Sequence, residues 1–599
     1  MCTKYIMKPV IFAAALLILL TGAGCNKEKI SGRAKEDDLQ NAPGSNIRLY
    51  NLSGADMSVV INNTVLTSQF AGGIETPTPT LIGRKLFPQG LWKKRAAFTI
   101  PTTLLDKSGR AYISIPGYFP GTRLDQQVRI TFSDTSLQND PLVPEDYYLL
   151  PSAKLVKFPR NSTPPSNPQN FKLRIVNLGS AESAFGLTGP VTATYADGSP
   201  VDRLQHIAPG ASSDYVELPY GAYQFKMFAE DGGMVNYQKQ LCTEDMQPAF
   251  NPCVPAVDLP QQGYMPQVAT FKPGGVYTLL VLTGTFVYDN DCTFIKDVRY
   301  ANIYQTVADL DPGINFSYAR MNAVNTIPGR KITISVDGKT MGGPLEYIGE
   351  TFTARALPAE YHTFVQGEHV VQVKDEGGNV VSESSIRLFP FDNYTVWAHA
   401  AADGKIKLVF TANDMTNTRY RTWDDPEDDH TDGDMRRIRF QYVWQSRFMN
   451  FCNTQPYITF TNNGQLFLPA FMHPDSLRPF QAYQLMQPGV VPVKNGSIFY
   501  FLPNILTYRP DGAPAQHNSE AHLFPRKIWV NAAGNPPALP GSLLTDIAPL
   551  TSERTFFANE GMYRPGTLKP PAENGIYTVA LVGGAANQPA KLIAIKHNK

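Results

Sequence analysis

Cys25 is the first residue whose chemistry can be read from its surroundings. It follows Thr21-Gly22-Ala23-Gly24, which are small, an 11-residue apolar run at positions 10–20, and the cations Lys4 and Lys8. Charge, apolar core and small residues in that order make a secretory signal, and the run is too short to span a bilayer. The thiol of Cys25 then stands where an envelope lipoprotein is acylated. Gly22 occupies the position three before it, where that pattern carries Leu, so cleavage by the ordinary signal peptidase stays open. Cys242 and Cys253 enclose ten residues with two prolines and are expected to close a disulfide loop in an oxidising compartment, whereas Cys292 and Cys452 have no assigned pairing.

Metal and catalytic chemistry find little support. His517-Asn518-Ser519-Glu520-Ala521-His522 holds two histidines and a carboxylate, but the spacing misses the inverted zinc motif by one residue. A polar loop is the simpler expectation. Asp428, His430, Asp432 and Gly433 imitate the start of a calcium loop; His430 takes the place of an oxygen ligand, and Arg439 stands where a bidentate Glu belongs. No metal, cofactor or catalytic residue is therefore assigned. Aromatic residues are the better lead toward binding. Trp397 and His399 alternate with Tyr394, Val396 and Ala398 along one strand, so if the latter set faces the core, Trp397 and His399 form an exposed platform for a sugar ring. The competing expectation is that a neighbouring sheet covers Trp397. Trp92 sits beside Lys93, Lys94 and Arg95, either as a cation-rimmed binding loop or as a cap on a core.

The elements that carry these residues follow from composition and repetition. The chain has 599 residues, long enough for about four domains. With 43% hydrophobic and 11% aromatic residues it can fill several cores. Its 46 glycines and 49 prolines favour many turns and short strands. Charge is balanced at 53 basic and 52 acidic residues, which leaves no excess to bind nucleic acid by counterion release.

Four copies of one pattern organise the chain. Ile47-Arg48-Leu49-Tyr50-Asn51-Leu52 matches Leu173-Arg174-Ile175-Val176-Asn177-Leu178, with weaker copies at Ala319-Arg320-Met321-Asn322-Ala323 and Arg437-Ile438-Arg439-Phe440. A second alternating strand follows each and ends in Asn62-Asn63, Asp197-Gly198, Asp337-Gly338 or Asn463-Gly464, dipeptides suited to tight hairpins and spaced by 135, 140 and 126 residues. Closing strands carry Tyr277-Thr278, Tyr394-Thr395 and Tyr577-Thr578, with Tyr147-Tyr148-Leu149 in that place in the first copy. Alternation, turns and the lack of a long helical period predict an all-β chain of four tandem antiparallel immunoglobulin-like β-sandwiches, each owning its core.

The opening Arg–apolar–Asn strand, the alternating strand ending in Asp/Asn-Gly and the late Tyr-Thr strand resemble the domain-of-unknown-function family numbered 4397. That family consists of Ig-like repeats in bacterial secreted and lipid-anchored proteins. The resemblance would cover most of residues 46–599 and implies no catalytic residues. Acidic residues after Cys25 resemble, more weakly, the surface-export signals of Bacteroidetes lipoproteins. Asp475-Ser476-Leu477 resembles the O-glycosylation triplet of the same bacteria.

The expected organisation is a signal at 1–24, a tether at 25–45, repeats at 46–158, 171–312 and 313–417, an acidic linker at 418–436, and a fourth repeat with an insert at 437–599. Seven acidic residues between 424 and 434 predict an extended hinge before that last repeat. The functional expectation is a non-catalytic outer-membrane lipoprotein, held by an N-terminal acyl anchor and exposed at the cell surface, that binds a protein or glycan. Glycan capture for a polysaccharide-uptake system is the alternative, and a hydrolase the third.

Overall fold

An opening strand with Arg three residues before Asn sets the architecture of the first, second and fourth repeats, and in the third Arg320 comes five residues before the matching Asn325. The computed structural model describes residues 42–599 apart from 54–56, 67–69, 76–91, 93–95, 121–126, 132–134, 151–153, 180–188, 244–267, 291–294, 421–436, 440–443, 467–482, 499–526, 533–538, 557–574 and several one- and two-residue gaps. Cys25, Cys253, Cys292, the tether up to residue 41, the acidic run, the His517–His522 loop and the Asp475 triplet lie outside the described residues, Gly44 and Ser45 of the expected tether already belong to the first strand, and of Cys242 only the backbone is described. The described chain is almost wholly β and divides into two compact units, residues 1–161 and 162–599.

In the first unit the opening strand Gly44–Asn51 lies between Ala97–Pro101, antiparallel, and Glu145–Leu149, parallel. A second sheet runs through Thr135–Gln138, Arg110–Ser114, Val60–Ile61 and Thr64–Val65. Alternation sends Ile47 and Leu49 inward onto Ile61, Ile113 and Leu137, while Arg48 and Tyr50 take the opposite face. The Asn62-Asn63 turn has φ of 44° and 63°, the left-handed pair that a two-residue hairpin needs.

The second unit repeats this plan three times. Opening strands Asn170–Asn177, Tyr318–Asn325 and Trp444–Asn450 each run parallel to a closing strand, Val276–Asn290, Asn393–Ala400 and Gly575–Val582. Every repeat therefore pairs its opening and closing strands in parallel among mostly antiparallel ladders, and the second adds a short parallel pairing of Cys242–Thr243 with Ile295–Leu310. The closing strands are buried on both faces, as the uniform burial of Gly575–Val582 records. In the second repeat the closing strand continues to 15 residues and pairs with Ile295–Leu310, a hairpin well beyond the usual strand length of about 5–6 residues.

Two expectations about this unit change. The opening strand of the fourth repeat is Trp444–Asn450, not the stretch around Arg437. Arg447 and Asn450 keep the Arg-to-Asn spacing of Arg48–Asn51 and Arg174–Asn177. The third and fourth repeats also do not own separate cores. Val324, Tyr347, Ile348 and Trp397 of the third repeat pack into one cluster with Phe448, Phe451, Val579 and Ile593 of the fourth. Leu357–Pro358 crosses over to pair with Lys591–Lys596. Thr418–Tyr420 and Arg437–Arg439 pair antiparallel, and the acidic run between them lies outside the described residues.

Candidate functional site

Trp397 and His399 are buried, which sets aside the exposed platform in favour of a covered Trp397, and Trp92 is buried as part of a core and not as a cation-rimmed binding loop. Trp397 is fully buried, stacked on Phe451 with ring centres 5.0 Å apart, and its indole N–H donates to Thr411 Oγ1 at 2.9 Å. His399 packs against the same ring at 5.5 Å, and burial lowers its pKa. Gly489 lies against the imidazole, where a Cβ would meet it at 2.5 Å. The physical reason is the pairing of repeats: the outer face of this sheet is the inner face of a joint. Trp92 plugs the core of the first unit, bridged through its backbone to Met57 and donating Nε1–H to Ala96 O at 2.9 Å. Cys452 is a free, buried thiol 3.2 Å from Thr454 Oγ1.

Of the recurring arginines, Arg48 and Arg174 bond within their own repeats, whereas Arg320 and Arg447 reach across to a neighbouring one. Arg48 forks onto Asp146 at 2.8 and 2.7 Å, and Arg160 adds a second cation at 3.2 Å. Arg174 donates to Thr278 Oγ1 at 2.9 Å and lies over Tyr215 at 4.8 Å. Arg320 reaches Asn393 Oδ1 at 2.8 Å and, across repeats, Tyr220 O at 3.1 Å, with Tyr220 and Tyr361 rings at 5.3 and 4.7 Å. Burial pulls its pKa down while the tyrosines push it up, and a guanidinium stays cationic through such shifts. Arg447 donates to Ala412 O, Asn413 Oδ1 and Thr578 Oγ1 at 3.0, 2.6 and 2.9 Å.

The network then runs on through the third and fourth repeats. Asn413 Nδ2 donates to Tyr361 Oη at 2.9 Å, which contacts His597 Nδ1 at 2.9 Å, and His597 Nε2 meets Thr578 Oγ1 at 2.7 Å. Burial first, then the Arg447 charge, holds the His597 pKa well below the usual imidazole range, so the ring is neutral. The backbone of Lys599 exchanges hydrogen bonds with Ala222 and Gln224 of the second repeat at 3.1 and 2.7 Å. These groups bind repeats together.

Exposed chemistry gathers instead at one end of the third repeat. Backbone bonds from Gln366 to Ser317 O at 2.8 Å and from Phe391 to Tyr318 O at 3.0 Å bring three segments side by side. On them Ile314, Phe316, Val365, Phe389 and Phe391 stand 61, 69, 60, 52 and 39% exposed. Phe389-Pro390-Phe391-Asp392 closes as a turn, with Asp392 N–H on Phe389 O at 3.3 Å, and Phe391 has φ of 73°. With Pro at its second position this resembles a type II turn, whose third position ordinarily takes glycine. A phenylalanine there costs of order 1–3 kcal/mol in backbone strain. Arg387 lies 5.5 Å over the Phe389 ring. Burial raises the Asp392 pKa, offset in part by the Tyr394 hydroxyl, which donates to it at 2.9 Å, with the Asp414 charge adding a smaller upward push. The sequence reading passed over this patch, although Phe-Pro-Phe-Asp between two strands was a signal for a turn carrying exposed aromatics.

No family model and no curated protein matches the chain. Among solved structures, one from Bacteroides ovatus, provisionally described as a cell adhesion protein, covers 40% of this chain and 95% of its own, at 8% identity and a TM-score of 0.12.

Proposed function

We propose that this chain is a non-catalytic, lipid-anchored binding protein of the bacterial outer surface, built of family-4397-like repeats and adhering through the aromatic end of its third repeat. One observation carries the reading: a cluster of exposed phenylalanines, one kept in a strained backbone conformation, on a repeat fixed to its neighbour by a shared core. Exposed apolar clusters of this kind mark interaction sites on soluble surfaces. Backbone strain persists where the surroundings over-determine it, commonly at sites of function. The signal, Cys25 and the polar tether supply the route to the membrane, with the acyl chains as anchor.

The ligand is a protein or glycan surface with an apolar face. The test is a mixed protein and glycan array probed with the chain lacking residues 1–24, beside the double variant Phe316→Ser/Phe389→Ser. The variant should lose at least tenfold in affinity for the best array ligand while keeping its unfolding midpoint. Equal binding by both proteins would remove the patch from the account.

A further inference from the structure

A cavity of about 350 Å³ opens where the third repeat meets the fourth. Val324, Met341, Ile348, Leu357 and Ile595 give its wall apolar patches, and Asn322, Thr351, His362 and the carboxylates of Glu346 and Glu360 supply the polar part of the lining. Asn322 is 2% exposed and its Oδ1 accepts no hydrogen bond. A buried amide oxygen without a donor is costly, so it calls for a partner that enters the cavity.

Register says what kind of partner is missing. Asn322 stands opposite Thr395, as Arg174 stands opposite Thr278 and Arg447 opposite Thr578. Repeats two and four place a guanidinium at this position, donating to the facing threonine. The third repeat places a short acceptor there, and its own arginine, Arg320, sits two residues earlier and is engaged at the joint with the second repeat. At the rim Glu346 pairs with Lys331, while the exposed carboxylate of Glu360 makes no ion pair among the described residues. Acceptor at the wall, uncompensated carboxylate at the rim and aliphatic sides between them are complementary to one chemistry.

We propose that this cavity binds a small organic cation, an ammonium or guanidinium on an aliphatic stem, with its N–H groups donating to Asn322 Oδ1 and its charge facing Glu360. The volume lies at the small end of ligand pockets, which suits such a molecule. The site is separate from the phenylalanine patch and does not depend on it.

The experiment is calorimetric titration of the whole chain with n-butylguanidinium, its neutral isostere n-butylurea, and butyrate, at low and physiological salt. The wild type should bind the guanidinium about tenfold more tightly than the urea and should not bind butyrate. Asn322→Leu should weaken the guanidinium about tenfold. Glu360→Gln, at an exposed position that leaves the fold untouched, should weaken it about threefold and cut the preference over the urea to about threefold. Absence of guanidinium binding by the wild type, or equal binding in Glu360→Gln, overturns the proposal. Phe316→Ser/Phe389→Ser should leave this titration unchanged, so the two sites fail or stand independently.

Discussion

Trp397 shows how much one residue's environment decides about its role. Alternation placed it opposite Val396 correctly, but could not say that the opposite face is covered by Phe451 of the next repeat. Trp397→Ala should therefore cost about 3–5 kcal/mol in chemical denaturation, the usual price of an emptied aromatic core site. A loss below about 1 kcal/mol would contradict its burial. His597 makes a second prediction at this scale. Its pKa lies well below the ordinary value in the folded protein and near 6.5 when unfolded. The unfolded chain thus binds the extra proton first, so stability is full above about pH 6.5 and falls as pH drops below it. His399, lowered less, contributes in the same sense. His597→Gln should flatten the stability slope between pH 5 and 6.5; an unchanged slope would mean that the buried imidazole does not titrate in this window.

At the scale of elements, the sequence exposed strands and turns well and their partners poorly. Asn62-Asn63 and Asp337-Gly338 adopt left-handed conformations as their residue types require. Opening strands were legible where Arg and Asn keep their spacing, and the fourth was misplaced because Arg437 and Arg439 offered a nearer but incomplete copy. Joints were not legible at all, since Tyr361, Asn413 and His597 meet across long separations that no local period encodes. The phenylalanine patch was legible as a turn but not as a surface, because exposure depends on what the neighbouring segments leave uncovered. Gly221 illustrates a joint's geometry: a Cβ there would lie 1.8 Å from Arg320 Nη1. Gly221→Ala should cost about 1–3 kcal/mol by overpacking, measured as a lower midpoint of the second unit's unfolding. An unchanged midpoint would show the guanidinium free to move aside.

For the whole molecule, residues 162–599 hold three repeats tied by shared strands, a shared core and a polar network, whereas residues 1–161 form their own unit. Calorimetry should resolve two transitions, and Gly221→Ala should lower the larger one without splitting it. Three separate transitions from the second unit would mean that the joints are energetically weak. Attachment is testable apart from folding: Cys25→Ser should release the protein from membranes, and retention after a high-salt wash would refute the acyl anchor.

The measurement closest to the central claim joins strain to binding in one variant. Phe391→Gly gives the turn the residue its φ of 73° favours and removes one exposed ring. Its unfolding midpoint should hold or rise, within about 1 kcal/mol, because relief of the left-handed strain offsets the lost contacts. Its affinity for the best array ligand should fall several-fold. An intact midpoint with undiminished binding would contradict the claim that the third repeat's aromatic end is what this protein uses to adhere.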